Sequence, residues 1–210
     1  MADELDGLIA ALTRRFDADI FSASAAVHCG RAVVARQVER LRRLRLGTVV
    51  EIGTRYGVMA ALLGRLAERV FTLDLHDSPR VREVLACVEA RNVVPLRLAS
   101  DEAKALLLDR LSFEAAFLDG CHERAGVALD FAHTCRCGRL LFHDYADPGF
   151  HGVTEFVDSL REGTVVRDAP FAWWFAPGIE PFECARPIGP IGPIGPIRPM
   201  PSALPAGAVP

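Results

Sequence analysis

Thr48-Val49-Val50-Glu51-Ile52-Gly53-Thr54-Arg55-Tyr56-Gly57 is the stretch from which the fold of this chain can be worked out. A short apolar run ends in an acid, a turn bearing two glycines follows, and a helical pattern begins at once. This order is typical of the strand, turn and helix that open a nucleotide-binding α/β unit. Glycine lets the backbone come close to a ligand, and the N-terminus of the helix directs free N–H groups towards it. The stretch therefore predicts a ligand site where the first strand ends.

The composition restricts the class of protein. The chain has 210 residues, half of them hydrophobic, which suits one α/β domain with a sizeable core. The net charge of −3 gives no electrostatic reason to expect nucleic acid or an anionic membrane as a partner. Residues 1–6 are acidic and do not resemble a secretory signal, and no apolar run approaches the ~20 residues of a membrane span. The six cysteines are then expected to be reduced thiols in the cytoplasm.

The alternation of strand and helix patterns extends over most of the chain. Helical spacing over 3–16 and 31–46 predicts two N-terminal helices, the second ending at Gly47 as its C-cap. Strands are predicted at 48–52, 70–74, 93–98, 115–119 and 139–144, with helices between them and a closing β-hairpin at 164–168 and 171–176. Pro95 predicts that the third strand lies at an edge. The expected fold is α/β and Rossmann-like: a doubly wound, mostly parallel seven-stranded sheet with a C-terminal β-hairpin and N-terminal helices.

Three regions are predicted from these patterns: an N-terminal helical segment at 1–46, a domain at 47–180, and a tail at 186–210. Eight of the 14 prolines fall in the tail, where Gly-Pro-Ile repeats three times. Without charge pattern or apolar periodicity, the tail is expected to be disordered or locally polyproline II. Trp173 and Trp174 in the hairpin are expected to pack in the core rather than to bind a substrate. The arginine cluster at 40–45 is expected to be a solvated helix face.

Acidic residues mark the ends of four predicted parallel strands. They are Glu51, Asp74, Asp119 and the pair His143-Asp144. A polar residue at the end of one strand would mean little. Since ligands of such sheets bind beyond the carboxyl ends of the strands, four acids at one edge predict a site.

The motif Glu51-x-Gly53-x-x-x-Gly57 is not a dinucleotide fingerprint. Arg55 takes the place of its middle glycine, and an acid at the strand end would repel a pyrophosphate. The motif suits a cationic or amine-bearing ligand instead. Asp74 follows Gly53 by 21 residues, and a carboxylate there accepts hydrogen bonds from both hydroxyls of a ribose.

These stretches resemble motifs I and II of class I S-adenosylmethionine (SAM)-dependent methyltransferases. The stretch at 113–123 contains Asp119-Gly120-Cys121-His122, and the stretch at 137–145 ends in His143-Asp144-Tyr145. Both resemble a subfamily with an Asp-Gly-x-His turn and a Gly-Gly-x-x-x-x-His-Asp-Tyr strand (methyltransferase domain 24-like), in which Cys137 replaces the first glycine. Many bacterial O-methyltransferases of sugars and other secondary metabolites are members.

The resemblance assigns the cofactor SAM to residues at the ends of the first four strands. The methionine end would be lined by Glu51 and Gly53 together with Thr54 and Gly57, and Asp74 would bind the ribose. The remaining cofactor contacts would be Leu75 and Ser100 at the adenine, and Asp119.

Two mechanisms for activating the acceptor stay open. In metal-dependent relatives, acids ending the fourth and fifth strands hold magnesium, which here would assign Asp119, His143 and Asp144 to Mg²⁺ or another divalent metal. Imidazole is a poor magnesium ligand, however. Without a metal, His143 or His122 would be the general base, oriented by Asp119 or Asp144.

The sequence therefore predicts a SAM-dependent methyltransferase that O-methylates a hydroxyl group of a small metabolite. The first alternative is a module that binds SAM or S-adenosylhomocysteine (SAH) without turnover, as a sensor or scaffold. The second is another α/β enzyme, such as a hydroxylase-like relative or a nucleotide hydrolase. The expected partner is a small-molecule acceptor; the oligomeric state is open, a homo-oligomer included.

Overall fold

The computed structural model describes residues 3–17, 29–98 and 101–183. It contains a seven-stranded sheet in the order β3-β2-β1-β4-β5-β7-β6, in which the first five strands in the chain run parallel and β7 pairs antiparallel with both β5 and β6. The strands are β1 (Leu46–Ile52), β2 (Ala67–Asp74), β3 (Val93–Arg97), β4 (Ala115–Leu118), β5 (Arg139–Phe142), β6 (Thr164–Asp168) and β7 (Phe171–Phe175). The predicted fold is confirmed.

Helices precede the sheet and connect its strands. They are α1 (Asp3–Thr13), α2 (Arg31–Leu44), α3 (Val58–Leu63), α4 (Pro79–Cys87), α5 (Asp101–Leu108), α6 (Arg124–Thr134) and α7 (His151–Ser159). Within the described ranges, none has the length and apolarity that a membrane-spanning helix requires. The predicted tail at 186–210 lies outside the described residues.

Several element boundaries differ from the prediction. Helix α2 ends at Leu44 and its C-cap is Arg45 with φ 48°, so the prediction that Gly47 is the cap was wrong. Gly47 lies within β1, where its N–H donates to the carboxylate of Glu114. Strand β2 begins earlier than predicted, at Ala67, because it pairs with β1 from Leu46 onwards.

Strand β3 lies at one edge of the sheet, as Pro95 predicts. A proline has no N–H to donate to a further strand, so it is tolerated where no neighbour follows. On the two faces of the sheet, apolar residues form two cores. Val49 of β1 belongs to the core that includes Leu8 and Leu12 of α1, whereas Val50 belongs to the other.

Helix α2 is joined to the closing hairpin by a buried polar network. Gln37 is 1% exposed; its Oε1 accepts a 2.7 Å hydrogen bond from Trp173 Nε1, and its Nε2 donates to Asp168 Oδ2. Asp168 also pairs with Arg36 and Arg40, which holds the pKa of that carboxyl below its usual range. Trp173 and Trp174 are buried, which confirms the prediction that both pack in the core.

Replacing Gln37 by methionine should lower the free energy of unfolding by about 1–3 kcal/mol, because the buried N–H of Trp173 would lose its acceptor. The measurement is urea-induced unfolding, with an unchanged m-value. Arg43→Met is the matched control on the same helix. Arg43 is 64% exposed and pairs with Glu39 at the surface, so its loss should cost less than about 0.5 kcal/mol. Equal effects of the two substitutions would contradict the structural role of Gln37.

Candidate active site at the carboxyl edge of the sheet

The structure brings the acidic strand ends to one edge. Glu51 lies in β1, Asp74 ends β2, Asp119 follows β4 directly, and His143-Asp144 follow β5. Strands β2, β1, β4 and β5 are consecutive neighbours and all run parallel. The predicted cluster at the carboxyl edge is therefore present.

The turn after β1 requires glycine for a reason beyond ligand approach. Gly53 has φ 100°, and a Cβ atom there would lie 2.2 Å from the carbonyl oxygen of Asp119. The backbone of the turn packs directly against the turn after β4, where Asp119 N–H donates to Ile52 O at 2.8 Å. Gly57, with φ 79°, is the N-cap of α3. Gly53 thus fixes the distance between the two halves of the site.

Glu51 is a buried carboxyl group with an unsatisfied oxygen. Its side chain is fully buried, and Oε2 accepts a hydrogen bond from Thr72 Oγ1, while Oε1 has no hydrogen-bond partner among the described residues. Burial raises the pKa of Glu51 well above its ordinary value. An unpaired buried acceptor is costly and normally points to a missing partner, which an ammonium group would supply.

The side chain of Thr54 is turned inwards. Thr54 is 7% exposed and its hydroxyl lies 2.5 Å from Thr72 Oγ1, so it supports the buried chain of hydroxyls that ends at Glu51. Thr72 was missed in the sequence, although it is a polar residue in the otherwise apolar run of β2 before Asp74.

The Asp74 carboxylate, at the end of β2, accepts hydrogen bonds from the turn after β1 and from its own loop. Its Oδ2 accepts 2.8 Å from Arg55 N–H, and its Oδ1 accepts 2.9 Å from His76 N–H. Each carboxylate oxygen has a second lone pair, so ribose hydroxyls can still donate to it. Leu75 is 57% exposed, as an apolar platform for a base would be. Ser100 lies outside the described residues.

Beyond β4 and β5, four ionisable side chains form a cluster: Asp119, His122, His143 and Asp144. His143 Nδ1 lies 3.1 Å from both Asp119 Oδ1 and Asp144 Oδ1, and Nε2 lies 3.0 Å from the sulfur of Cys29. Burial disfavours the charged form of His143, but the contacts with Asp119 and Asp144 outweigh it and raise the pKa of His143 to about 12. Both ring nitrogens are engaged inside the protein. His143 as described is therefore a cation that holds two carboxylates in place, and it has no free lone pair for a base.

His122 is the more accessible histidine of the cluster. Its Nε2 lies 2.8 Å from Asp144 Oδ2 and 3.6 Å from Asp119 Oδ1, and its side chain is 32% exposed. The 2.8 Å contact lacks hydrogen-bond alignment, since Nε2 has no hydrogen-bond partner among the described residues. The nearby carboxylates of Asp119 and Asp144 raise the pKa of His122 to about 9. The ring stacks on Phe150 with centroids 4.2 Å apart, a contact that the sequence did not predict.

The predicted metal ligands come together but do not fit magnesium. Asp119, His143 and Asp144 each offer one atom, and these atoms lie within 4.8 Å of one another. One of the three donors is an imidazole, a poor ligand for Mg²⁺. As an imidazolium it also supplies the positive charge that a cation would bring to the two carboxylates.

Two bacterial proteins named protein-L-isoaspartate O-methyltransferase are similar to this chain. That of Roseobacter denitrificans is 33% identical over 92 residues, 44% of this chain and 43% of that protein. That of an Anaeromyxobacter species is 29% identical over 131 residues, 62% of this chain and 61% of that protein. The matches span less than two thirds of either relative. No protein-family model matches the chain, so the subfamily stays a prediction.

Solved structures identify the fold. The O-methyltransferase TomG from Streptomyces achromogenes, in complex with SAM, matches with a TM-score of 0.54 and 20% identity, over 83% of this chain and 89% of that one. Together with the strand order, this likeness shows that the chain has the Rossmann-like fold of class I SAM-dependent methyltransferases.

Proposed function

We propose that the protein is a SAM-dependent methyltransferase that methylates a hydroxyl group of a small metabolite. The observation that carries the proposal is the buried, unpaired Oε1 of Glu51, at the end of a strand whose neighbour ends in Asp74. One carboxyl group would accept the ammonium group of the cofactor, and the other its ribose hydroxyls. The fold and the names of the similar proteins support methyl transfer from SAM, but the names do not support this choice of acceptor.

The protein's part in the reaction is positioning and proton removal. When bound, SAM supplies an electrophilic methyl group, so alignment with a deprotonated acceptor provides most of the rate. Glu51, Asp74 and exposed Leu75 would hold the cofactor at the ends of β1 and β2. His122 would take the proton of the acceptor's hydroxyl at Nε2 in its neutral form, which becomes populated as the pH rises towards its raised pKa of about 9, and Asp144 would stabilise the imidazolium that forms.

The isoaspartyl carboxylate named in the two relatives is the main competing acceptor. A carboxylate is already ionised and needs no base, so His122 would have no part in its methylation. A neutral hydroxyl needs a base, and His122 is the more accessible histidine of the cluster. The cluster therefore favours a hydroxyl acceptor.

Calorimetry with SAM and SAH is the first test, followed by transfer of labelled methyl to a panel of hydroxylated metabolites and to an isoaspartyl peptide. Failure of both cofactor forms to bind would refute the proposal. Binding without turnover on any acceptor would favour the non-catalytic module. Turnover on the peptide alone would indicate that the substrate is a protein. Loss of activity with EDTA, restored by a divalent ion, would show a metal requirement that the donor set does not predict.

Asp74→Ala should weaken SAM binding by about 1–3 kcal/mol, because the ribose hydroxyls would lose their acceptor. Asp77→Ala provides the control in the same loop. Asp77 is exposed and its contact with Arg82 is 3.7 Å, so SAM affinity should stay unchanged. Titration calorimetry measures both. An unchanged affinity of the Asp74 variant would contradict the proposed role of Asp74 in binding the ribose.

A further inference from the structure

Of the two oxygens of the Glu51 carboxyl group, Oε2 accepts a hydrogen bond from the described residues and Oε1 does not. Thr72 Oγ1 donates its single hydroxyl hydrogen to Glu51 Oε2. When Glu51 is ionised, Thr54 is the donor in the close contact between Thr54 Oγ1 and Thr72 Oγ1. The chain therefore runs from Thr54 through Thr72 to Glu51, and Oε1 remains without a protein donor among the described residues.

The surroundings of Glu51 disfavour its negative charge in the free protein. The residues in register with it on the adjacent strands are Thr72 of β2 and Phe117 of β4, neither of them charged. The charged groups that act on it are Asp119 and Asp74, both acidic. Complete burial adds the larger penalty, and together these effects raise the pKa of the group. Glu51 therefore holds its proton to a higher pH than an ordinary glutamate does.

An ammonium group beside Oε1 would reverse this balance. A positive charge in contact with the carboxyl group favours the ionised form, and the hydroxyl of Thr72 already donates to the same form from the other side.

We propose that binding of the cofactor's ammonium group ionises Glu51 and releases one proton to solvent, with Thr72 as the positioning residue that stabilises the carboxylate. This inference rests on the proposed function. The O–H bond of Glu51 breaks and a buffer molecule takes the proton; no bond of the ligand changes. Because the pKa of Glu51 falls on binding, affinity should rise with pH, by about tenfold per unit below the pKa of the free protein.

The test is titration calorimetry with SAH at pH 6.5, in buffers of different ionisation enthalpy. SAH carries the same ammonium group but no transferable methyl. The number of protons released per site, obtained from the dependence of heat on buffer, should be about one for the wild type and near zero for Glu51→Gln. Asp74→Asn is the control: it should weaken binding but still release about one proton.

Thr72 is tested by a pair of substitutions. Thr72→Val removes the hydroxyl with little change in shape and should weaken SAH binding about tenfold. Thr72→Ser keeps the hydroxyl and should restore affinity close to the wild-type value. Equal affinity of the valine and serine variants would overturn the role of Thr72.

The outcomes separate the inference from the proposed function. SAH binding without proton release by the wild type would overturn the inference alone, since Glu51 would then be ionised already. Unchanged proton release by Glu51→Gln would place the titrating group elsewhere and would also overturn it. No binding of SAH by the wild type would refute the proposed function, and the inference with it.

Discussion

Gly53→Ala is expected to lower the free energy of unfolding by about 2–6 kcal/mol. Two costs add. A residue with a side chain is strained at φ 100°, and the new Cβ would lie 2.2 Å from the backbone oxygen of Asp119. Backbone cannot move aside as a flexible side chain can, so the turns after β1 and β4 would have to separate. The measurement is the midpoint and m-value of urea-induced unfolding.

Gly178→Ala separates these two costs. Gly178 has φ 81°, also in the left-handed region, but a Cβ atom there would meet nothing within 4 Å. Its substitution should therefore cost about 1–2 kcal/mol, from backbone strain alone. If Gly53→Ala costs no more than Gly178→Ala, the close approach of the two turns is not the reason for Gly53.

His122→Gln is expected to lower kcat by about 10²–10⁴-fold on a hydroxyl acceptor, the contribution usual for a general base. Glutamine keeps a polar side chain of similar length but cannot accept the proton. The affinity for SAM should stay near the wild-type value, because the proposed cofactor contacts lie at the ends of β1 and β2. Steady-state kinetics and titration calorimetry on the same samples separate the two effects.

His151→Gln is the matched control. His151 begins helix α7 and is exposed, one residue after the Phe150 that stacks on His122. An exposed side chain away from the cluster should leave kcat within about a factor of two. If kcat of the His122 variant stays at the wild-type level, proton removal belongs to another group of the cluster. If both substitutions have equal effects, the segment between β5 and helix α7 acts through its shape.

Most of the fold could be predicted because its signals are local. Each parallel strand is a short apolar run and the intervening segments show helical spacing, so a mostly parallel sheet follows from the crossover rule, although the order of its strands does not. Pro95 gave the edge strand from its missing N–H. Gly47 led to a wrong prediction of the helix end, because a glycine after a helical pattern usually marks the C-cap. Here Arg45 adopts the left-handed conformation instead.

The candidate site was predictable in position and less so in chemistry. That Glu51, Asp74, Asp119 and Asp144 meet at one edge follows from parallel strands ending on the same side. Their protonation and contacts do not, because these depend on neighbours from other parts of the chain. The sequence made His143 a candidate base from the ordinary pKa of histidine, but two carboxylates and a thiol occupy its ring.

The sequence by itself determined the strands of a mostly parallel sheet and the edge where acids gather, because these depend on period, turns and chain direction. The order of the strands came from the structure. Only the tertiary structure decided the chemistry of each acid. It placed Cys29 against His143 across 114 residues of chain, and the hydroxyl of Thr72 beside Glu51. The physical reason is that a pKa depends on burial and on charges within a few ångströms. Those distances are fixed by packing between elements that no local pattern connects.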